Sequence, residues 1–349
     1  MDRAHDDEGG ELLGMVLEGR YRIERRIGSG GMGTVYLAQQ LALKLPVAVK
    51  VLQCEHTEDF TYNYRFIREA RVAARVVHPN VARVLDLGRT PDGRAFSVME
   101  HLEGEDLAER LAREGALPWS RARRILRQVV RGLRAAHSIG VIHRDVKPSN
   151  VFIARTPDGR EQVKLLDFGI AKASDPAATF GENLTRVDKI VGTVEYIAPE
   201  RIMGEPADAR SDIYSLGVMM FEMLTGRQPW SSEGSLLRTL MKRVREPPPP
   251  LPEFLPGVPL EVVAVVKRAM ARDPAERFAS LHELEAALRS SSSSSSISIS
   301  TSASAPRPIP ADPPAPRPLE DPSPAARPKS APIQWAETLT WGVAPLDPC

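Results

Sequence analysis

Acidic and amide side chains suited to phosphoryl transfer lie close together in the middle of the chain. Asp145 and Asn150 stand in the stretch V-I-H-R-D-V-K-P-S-N, and Asp167 begins D-F-G seventeen residues after Asn150. Asp and Asn oxygens are hard ligands of the kind that Mg²⁺ takes alongside substrate phosphates. Asp145 can orient a substrate hydroxyl and accept its proton, while Lys147 can neutralise charge on the transferring phosphoryl group.

A glycine-rich stretch near the N-terminus adds a candidate phosphate loop. It reads Gly28-Ser29-Gly30-Gly31-Met32-Gly33, a G-x-G-x-x-G pattern. A dinucleotide-binding fold needs a helix after the third glycine, but T-V-Y-L alternates as a strand, and a Walker A loop needs Lys where Thr34 stands. Two interpretations stay open from the loop alone: a hairpin whose backbone covers a nucleotide's phosphates, and a plain flexible hairpin.

Lys50 favours the first interpretation. It closes the apolar strand P-V-A-V-K, seventeen residues after Gly33. A lysine in such a strand is costly to bury unless it is paired. We expect Lys50 to point at phosphate oxygens and to be held by a carboxylate, for which Glu69, on a predicted helix over Phe60–Val77, is the candidate.

The elements that must position these residues change character along the chain. Residues 21–101 contain five short strand patterns and the Phe60–Val77 helix, whereas the chain after Gly104 is mostly helical, with predicted helices over 117–137, 211–225 and 280–289. This predicts an α+β fold with a small β-rich lobe at about 21–101, a larger α-rich lobe at about 104–288, and a cleft between them.

The two ends of the chain differ from this folded part. Residues 1–20 are acidic and contain glycine, so we expect a loose segment. Residues 289–349 are rich in Ser and Pro and include an unbroken serine run from Ser290 to Ser296. Such a segment buries too little apolar surface to offset its ordering entropy, so the sequence predicts a disordered tail.

Composition excludes several classes of protein. The chain has 349 residues, 42% of them hydrophobic, and a formal net charge of +1, so it lacks a bulk basic field for nucleic acid. Two cysteines exclude a disulfide scaffold and fit a reducing compartment. Neither a secretory signal nor a transmembrane stretch is apparent. We therefore expect a cytoplasmic protein that binds neither nucleic acid nor membrane.

Taken together, these motifs resemble those of the eukaryotic-like (Hanks-type) serine/threonine protein kinases of bacteria, from about Tyr21 to Leu288. The resemblance rests on the glycine loop, V-A-V-K, H-R-D-x-x-x-x-N and D-F-G. It also rests on A-P-E ending at Glu200, on Asp212 in S-D-I-Y-S-L-G, and on Arg277 in D-P-A-E-R-F.

The resemblance implies a bilobal protein-kinase fold and a role for each matching residue. Asp145 would be the catalytic base, aided by Lys147. Lys50 would contact the ATP phosphates and pair with Glu69, and Asn150 and Asp167 would hold Mg²⁺, with Mn²⁺ as a possible substitute. Glu200 and Arg277 would form a buried structural ion pair. The residues expected around ATP are Ile27, Gly28, Ser29, Gly30, Gly31, Met32, Gly33, Thr34, Val35, Ala48, Lys50, Met99, Glu100, Leu102 and Phe152.

The resemblance also indicates the hydroxyl class and a switch. D-V-K-P-S-N is similar to the serine/threonine pattern, and Thr193 resembles the threonine of that substrate groove. Arg144 directly precedes Asp145, and a buried arginine at that place needs an anion, which a phosphothreonine could supply. Thr185 is the first candidate for the activating site, followed by Thr179 and Ser174. The alternative is a loop that is ordered without phosphorylation.

The sequence thus predicts an ATP-dependent kinase of protein Ser/Thr hydroxyls that self-associates for autophosphorylation in trans. The alternative is a pseudokinase-like scaffold that binds nucleotide and signals by docking. The intact set Lys50, Asp145, Asn150 and Asp167 favours the enzyme.

Overall fold

The computed structural model describes residues 12–30, 33–53, 60–168, 195–206, 208–230 and 236–291. All of them belong to the first of two units, Met1–Ile299, and the second unit is Ser300–Cys349. In the described residues, no helix is both long and apolar enough to span a membrane.

The first part of the chain forms an antiparallel sheet in the order β1-β2-β3-β4-β6-β5. Its strands are β1 (Val16–Leu17), β2 (Tyr21–Gly30), β3 (Gly33–Gln40), β4 (Leu45–Leu52), β5 (Val84–Arg89) and β6 (Ala95–Glu100), and helix α1 (Phe60–Ala73) follows β4.

Side chains along β4 alternate between the core of this lobe and the opposite face of the sheet. Val47, Val49 and Val51 are at most 3% exposed and belong to the apolar core of this lobe. Ala48 and Lys50 lie between them in the strand and so point to the opposite face. One face of β4 therefore packs into the core of the small lobe, while the other face carries Lys50.

The remaining chain is mostly helical, with a short antiparallel sheet in the order β7-β8-β9. Its strands are β7 (Gly104–Asp106), β8 (Val151–Arg155) and β9 (Glu161–Leu165). Its helices are α2 (Leu107–Glu114), α3 (Trp119–His137), α4 (Pro199–Ile202), α5 (Ala209–Thr225), α6 (Leu236–Arg245), α7 (Leu251–Phe254), α8 (Leu260–Ala269) and α9 (Leu281–Ser290).

Helix α5 lies at the centre of this large lobe. Asp208 caps its start by accepting from the Arg210 amide at 2.7 Å, and Gly226, with φ of 69°, ends it in the left-handed region that glycine favours. Nearly every residue between these caps is buried, including Asp212 and the apolar run from Val218 to Phe221. A helix that is apolar all round must be covered on all sides, and α3 and α8 pack against it.

Two boundaries differ from the sequence expectation. Helix α1 ends at Ala73 instead of Val77, because the chain then tightens into a turn in which the amides of Arg75 and Val76 bond to the carbonyls three residues before them. Residues 12–20, expected to be loose, are packed: Leu12 is 2% and Leu17 0% exposed, and β1 pairs with β2. A few apolar residues between glycines and acidic residues were too weak a signal for this short edge strand. Residues 1–11 lie outside the described part.

Helix α9 lies at the predicted end of the large lobe. Ser280 caps α9, Leu288 is fully buried, and the described chain continues to Ser291. Of the tail predicted to be disordered, residues 289–349, Arg289 and Ser290 belong to α9, and the residues from 292 onward lie outside the described part, so their disorder stays a prediction.

Candidate active site

Asp145 lies in a loop that its own neighbours hold in place. Asn150 Nδ2 donates to the Asp145 carbonyl at 2.8 Å and to Oδ2 at 3.1 Å, and Lys147 Nζ is 3.1 Å from the same Oδ2. Pro148 opens a single 3₁₀ turn, Pro148–Asn150, that brings Asn150 back over Asp145. The carboxylate therefore has a fixed direction and an adjacent cation.

Asp212, in the first turn of α5, holds the backbone of this loop by hydrogen bonds. It is 1% exposed; Oδ2 accepts from the His143 amide at 2.9 Å and Oδ1 from the Arg144 amide at 2.8 Å. His137 Nε2 lies 2.8 Å from Oδ2. Burial alone would raise the pKa of Asp212, but its hydrogen bonds with the His137 ring and the His143 amide hold that pKa below its ordinary value. The ionised carboxylate also stabilises Arg144, whose φ of 65° is unusual for a non-glycine residue.

His143 joins this loop to the D-F-G segment. It is fully buried, and burial lowers its pKa, which keeps the ring neutral. A neutral ring can donate from Nε2 to the Leu166 carbonyl at 3.0 Å and accept at Nδ1 from the Asp145 amide at 3.3 Å. Phe168 packs on it, with ring centroids 4.7 Å apart. Asp145 and Asp167 are thereby held in one unit.

Lys50 forms its direct contact with Asp167. Its Nζ donates to Asp167 Oδ2 at 2.8 Å, with side chains 14% and 46% exposed. Burial would lower the pKa of Lys50, but the charge and hydrogen bond of Asp167 and the charges of Glu69 and Asp145 outweigh it, so the pKa is raised. Glu69 lines the same cavity, together with Met99 and Phe168. The pairing of Lys50 with Glu69 stays a prediction.

The donor set fits a hard divalent cation. Asp167 supplies a carboxylate whose pKa lies below its usual range, because the Lys50 ammonium outweighs the effect of burial. Asn150 uses its Nδ2 group to hold Asp145, which leaves an amide oxygen as a ligand of the type Mg²⁺ accepts. These two residues would hold Mg²⁺ beside substrate phosphates.

The glycine loop joins β2 to β3 in an antiparallel hairpin. Gly28 pairs with Val35 and Gly30 with Gly33, while Gly31 and Met32 lie outside the described residues. A Cβ at Gly33 would stand 2.3 Å from the Val51 carbonyl oxygen, so only glycine fits there. A Cβ at Gly28 or Gly30 would meet no atom within 4 Å. The first glycines thus face open space, while the third lets β3 approach β4.

The other residues predicted to surround ATP lie mostly on neighbouring strands. Val35 is opposite Lys50 across β3 and β4, and Ala48 is opposite Met99 across β4 and β6. Glu100 Oε1 accepts from the Arg83 amide at 2.8 Å and from Lys164 Nζ at 2.7 Å, so the last residue of β6 is held to β9. The remaining members lie in β2 (Ile27, Ser29), β3 (Thr34), the segment after β6 (Leu102) and β8 (Phe152).

Arg144 lies close to two other arginines and, among the described residues, forms no ion pair. Its Nε is buried and has no hydrogen-bond partner among the described residues. Burial lowers its pKa and the Arg68 charge adds to that effect. Arg201 Nη1 donates to the Arg144 carbonyl at 2.7 Å. This concentration of positive charge supports the anion that was inferred for Arg144, whereas Thr193 and the phosphorylation candidates Ser174, Thr179 and Thr185 lie outside the described residues.

Glu200 and Arg277 form the buried pair anticipated from the sequence. Arg277 Nη2 and Nη1 donate to the two Glu200 oxygens at 2.7 and 2.9 Å, and the side chains are 0% and 5% exposed respectively. Ser211 Oγ donates to Glu200, and three backbone carbonyls, those of Arg210, Ala271 and Arg272, accept from Arg277. Both charges are thus fully satisfied.

Asp212 and His143 belong to the matching motifs S-D-I-Y-S-L-G and H-R-D, but the motifs alone do not indicate which groups these residues contact. For Asp212, its place in the first turn of a predicted helix is the available signal. The bond from Lys50 to Asp167 had no signal, because it joins residues 117 positions apart across the cleft.

Comparison with known proteins agrees with this geometry. The family model for the protein kinase domain matches residues 21–288. The chain is 43% identical over 272 residues to serine/threonine-protein kinase PknA of Mycobacterium tuberculosis, covering 77% of this chain and 60% of that protein. It is 40% identical over 283 residues to serine/threonine-protein kinase pkn3 of Myxococcus xanthus, covering 80% of this chain and 51% of that protein.

Solved structures agree as well. The crystal structure of the Mycobacterium tuberculosis PknI kinase domain matches with a TM-score of 0.61 and 30% identity, covering 79% of this chain and 98% of that one. The chain belongs to the protein kinase domain family. The resemblance to bacterial serine/threonine kinases and the bilobal α+β fold are confirmed. The chain spans 51–60% of the length of these two curated relatives.

Proposed function

We propose that the chain is a serine/threonine protein kinase that transfers the γ-phosphoryl group of ATP to Ser and Thr hydroxyls of proteins. One observation carries this proposal: Asp145, Lys147 and Asn150 form one bonded group, and His143 links it to the D-F-G segment, where Asp167 meets Lys50. The names of the relatives support it. Nothing favours the pseudokinase-like alternative, since each residue needed for transfer is present.

The proposed chemistry needs positioning more than covalent help. The Asp145 carboxylate accepts the hydrogen bond of the substrate hydroxyl and takes its proton as the oxygen attacks the γ-phosphorus. Asn150 holds that carboxylate in one direction, and Lys147, 3.1 Å away, counters the charge that develops on the phosphoryl oxygens.

The opposite wall of the cleft would bind the phosphates of ATP. Lys50 would exchange its contact with Asp167 for the ATP phosphates, which the half-exposed Asp167 side chain allows. Mg²⁺, or Mn²⁺ in its place, supplies charge neutralisation when bound to Asn150 and Asp167. Gly28, Gly30 and Gly33 let the hairpin backbone lie close over the phosphates.

Regulation and partners are part of the proposal. Phosphorylation of Thr185, or else of Thr179 or Ser174, would place an anion against Arg144 and order the loop before Glu200. Thr193 would line the groove for the substrate hydroxyl. Self-association for autophosphorylation in trans, a role in signal transduction and a cytoplasmic location stay predictions from the sequence, as does the absence of nucleic-acid and membrane partners.

A substitution at Asp145 tests the proposal. The Asp145→Asn full chain should lose transfer from ATP and Mg²⁺ to a generic basic protein substrate by about 10²–10⁴-fold. It should keep its affinity for a fluorescent ATP analogue, because Asp145 meets the hydroxyl and not the nucleotide. Lys267→Gln, an exposed substitution on α8, is the control. Equal turnover of Asp145→Asn and wild type would refute the proposed role.

A further inference from the structure

A row of arginines on helix α3 has few acidic neighbours. Arg123, Arg127 and Arg131 follow one another at intervals of four residues and so lie along one face of the helix, with Arg124 beside them. We call these four residues the arginine row. Among the described residues, an ion pair is recorded only for Arg131, 3.7 Å from Glu285 on α9.

The carboxylate nearest to the row is already shared by two further arginines. Glu285 is 3% exposed and is shared with Arg134 and with Arg289 of α9, which lies 3.8 Å away. Arg127 Nε is buried and has no hydrogen-bond acceptor in the part of the chain that the structure describes. Arg127 itself is only half-buried, so the rest of its guanidinium stays open to an anion.

The described chain ends near the start of this row, at a serine that further serines follow in the sequence. Trp119, in the first turn of α3, donates from Nε1 to the Ser291 carbonyl at 3.2 Å, and Ser291 is 3% exposed. Five serines, Ser292 to Ser296, follow directly. Extended, they would span about 17 Å, and the twelve residues from Trp119 to Arg131 rise by about 18 Å. Laid along α3 from Ser291, an extended serine run would therefore reach as far as Arg131, the last residue of the arginine row.

We propose that the serine run 292–296 is phosphorylated by this kinase and that the phosphorylated run binds the arginine row. The proposal rests on the proposed kinase function. In each transfer, a serine Oγ bonds to the γ-phosphorus of ATP while the bond from that phosphorus to the bridging oxygen breaks. ADP leaves with the bonding electrons, and the hydroxyl proton passes to Asp145. Each phosphate brings a charge of about −1.5 to −2 to a run that had none.

The reach of the run decides how it is phosphorylated. The backbones of His143 and Arg144 are tied through Asp212 to His137 at the end of α3, whereas Ser291 is tied to Trp119 at its start. These ends are separated by about 27 Å along the helix axis. A run that extends about 17 Å from Ser291 falls short of that separation. We therefore expect transfer to occur between two copies.

The first experiment tests modification. Tagged full-length Asp145→Asn chain is mixed with untagged wild type, ATP and Mg²⁺, and residues 292–296 of the tagged chain are mapped by mass spectrometry. We expect phosphate there, at a rate that rises with wild-type concentration. An unmodified run, while an external protein is phosphorylated, overturns the proposal; if the external protein is also unmodified, the kinase function itself has failed.

The second experiment tests binding without any need for activity. Phosphoserine is installed at positions 292, 294 and 296 of the Asp145→Asn full chain during synthesis, and its removal by a non-specific phosphatase is timed at low salt. We expect removal to be at least fivefold slower than in the same chain carrying Arg123→Gln and Arg127→Gln. The difference should vanish at about 1 M salt, where the screening length falls to about 3 Å.

Matched substitutions provide the control. Arg245→Gln with Lys267→Gln removes two exposed charges from α6 and α8 and should leave the slow removal intact. Equal rates in the phosphorylated chain with and without the arginine substitutions would overturn the binding. Protection that persists in the Arg123→Gln/Arg127→Gln chain would place the phosphates elsewhere and overturn it equally.

Discussion

Two ion pairs of similar length have different surroundings. The basal pair, Glu200 with Arg277, is at most 5% exposed, and its oxygens and N–H groups meet Ser211 and three backbone carbonyls. The cleft pair, Lys50 with Asp167, leaves the carboxylate 46% exposed. A fully satisfied buried pair has no capacity for a new ligand, whereas the cleft pair can exchange one partner for phosphate or metal. We therefore expect the buried basal pair to stabilise the fold and the exposed cleft pair to take part in phosphoryl transfer.

The largest expected effect comes from the cleft pair and concerns activity alone. Lys50→Met should lower transfer by at least about 10²–10³-fold, since a cation aimed at the phosphates is lost. The free energy of unfolding should change by less than about 1 kcal/mol, because Asp167 remains accessible to water. Steady-state kinetics and urea denaturation measure the two quantities. A loss of several kcal/mol would show that the cleft pair also stabilises the fold.

The basal pair should behave in the opposite way. Arg277→Ala leaves Glu200 as an uncompensated buried charge, which should cost about 3–5 kcal/mol in the free energy of unfolding. Arg160→Ala is the matched control, because its pair with Asp158 is 84% and 55% exposed and its loss should cost no more than about 1 kcal/mol. Chemical denaturation of both variants tests this. Similar losses in the two would remove the distinction between buried and exposed pairs.

The pH dependence of stability sharpens the comparison. Burial would raise the pKa of Glu200, but the hydrogen bonds and charge of Arg277 outweigh it, so the folded-state pKa lies below the ordinary 4.5. The unfolded chain therefore binds this proton at higher pH than the folded one, and the stabilisation is present above about pH 4.5 and is lost as pH falls through the folded pKa. Arg277→Leu with Glu200→Leu should flatten this part of the curve, measured by urea denaturation from pH 3 to pH 6. An unchanged slope would assign the acid sensitivity to other carboxylates.

Residues with a strong local pattern were predictable from the sequence. The apolar face of α3, the alternation that points Lys50 into the cleft, and the order of Asp145, Asn150 and Asp167 all follow from spacing. The contacts made through tertiary packing were not. Lys50 meets Asp167 because two distant segments close on one cleft, and Asp212 acts through backbone amides that its own helix does not contain. Short edge elements such as β1 were missed because two residues carry too little periodicity.

The smallest expected effect concerns where the folded chain stops. Truncation after Ser291 should leave the melting temperature of the phosphatase-treated protein within about 1 °C of the full chain, since the described contacts of α9 are retained. Truncation after Arg289 removes the carbonyl that accepts from Trp119 Nε1 and the hydroxyl of Ser291 that bonds to the Leu288 carbonyl at 3.2 Å. Loss of these bonds should cost about 1 kcal/mol, a fall of about 2–4 °C for a domain of this size. Differential scanning calorimetry of the two truncated chains side by side gives the answer. If both melt together with the full chain, Ser290 and Ser291 contribute nothing and the fold ends at Arg289; if both melt several degrees lower, residues beyond 291 pack on the large lobe even without phosphate.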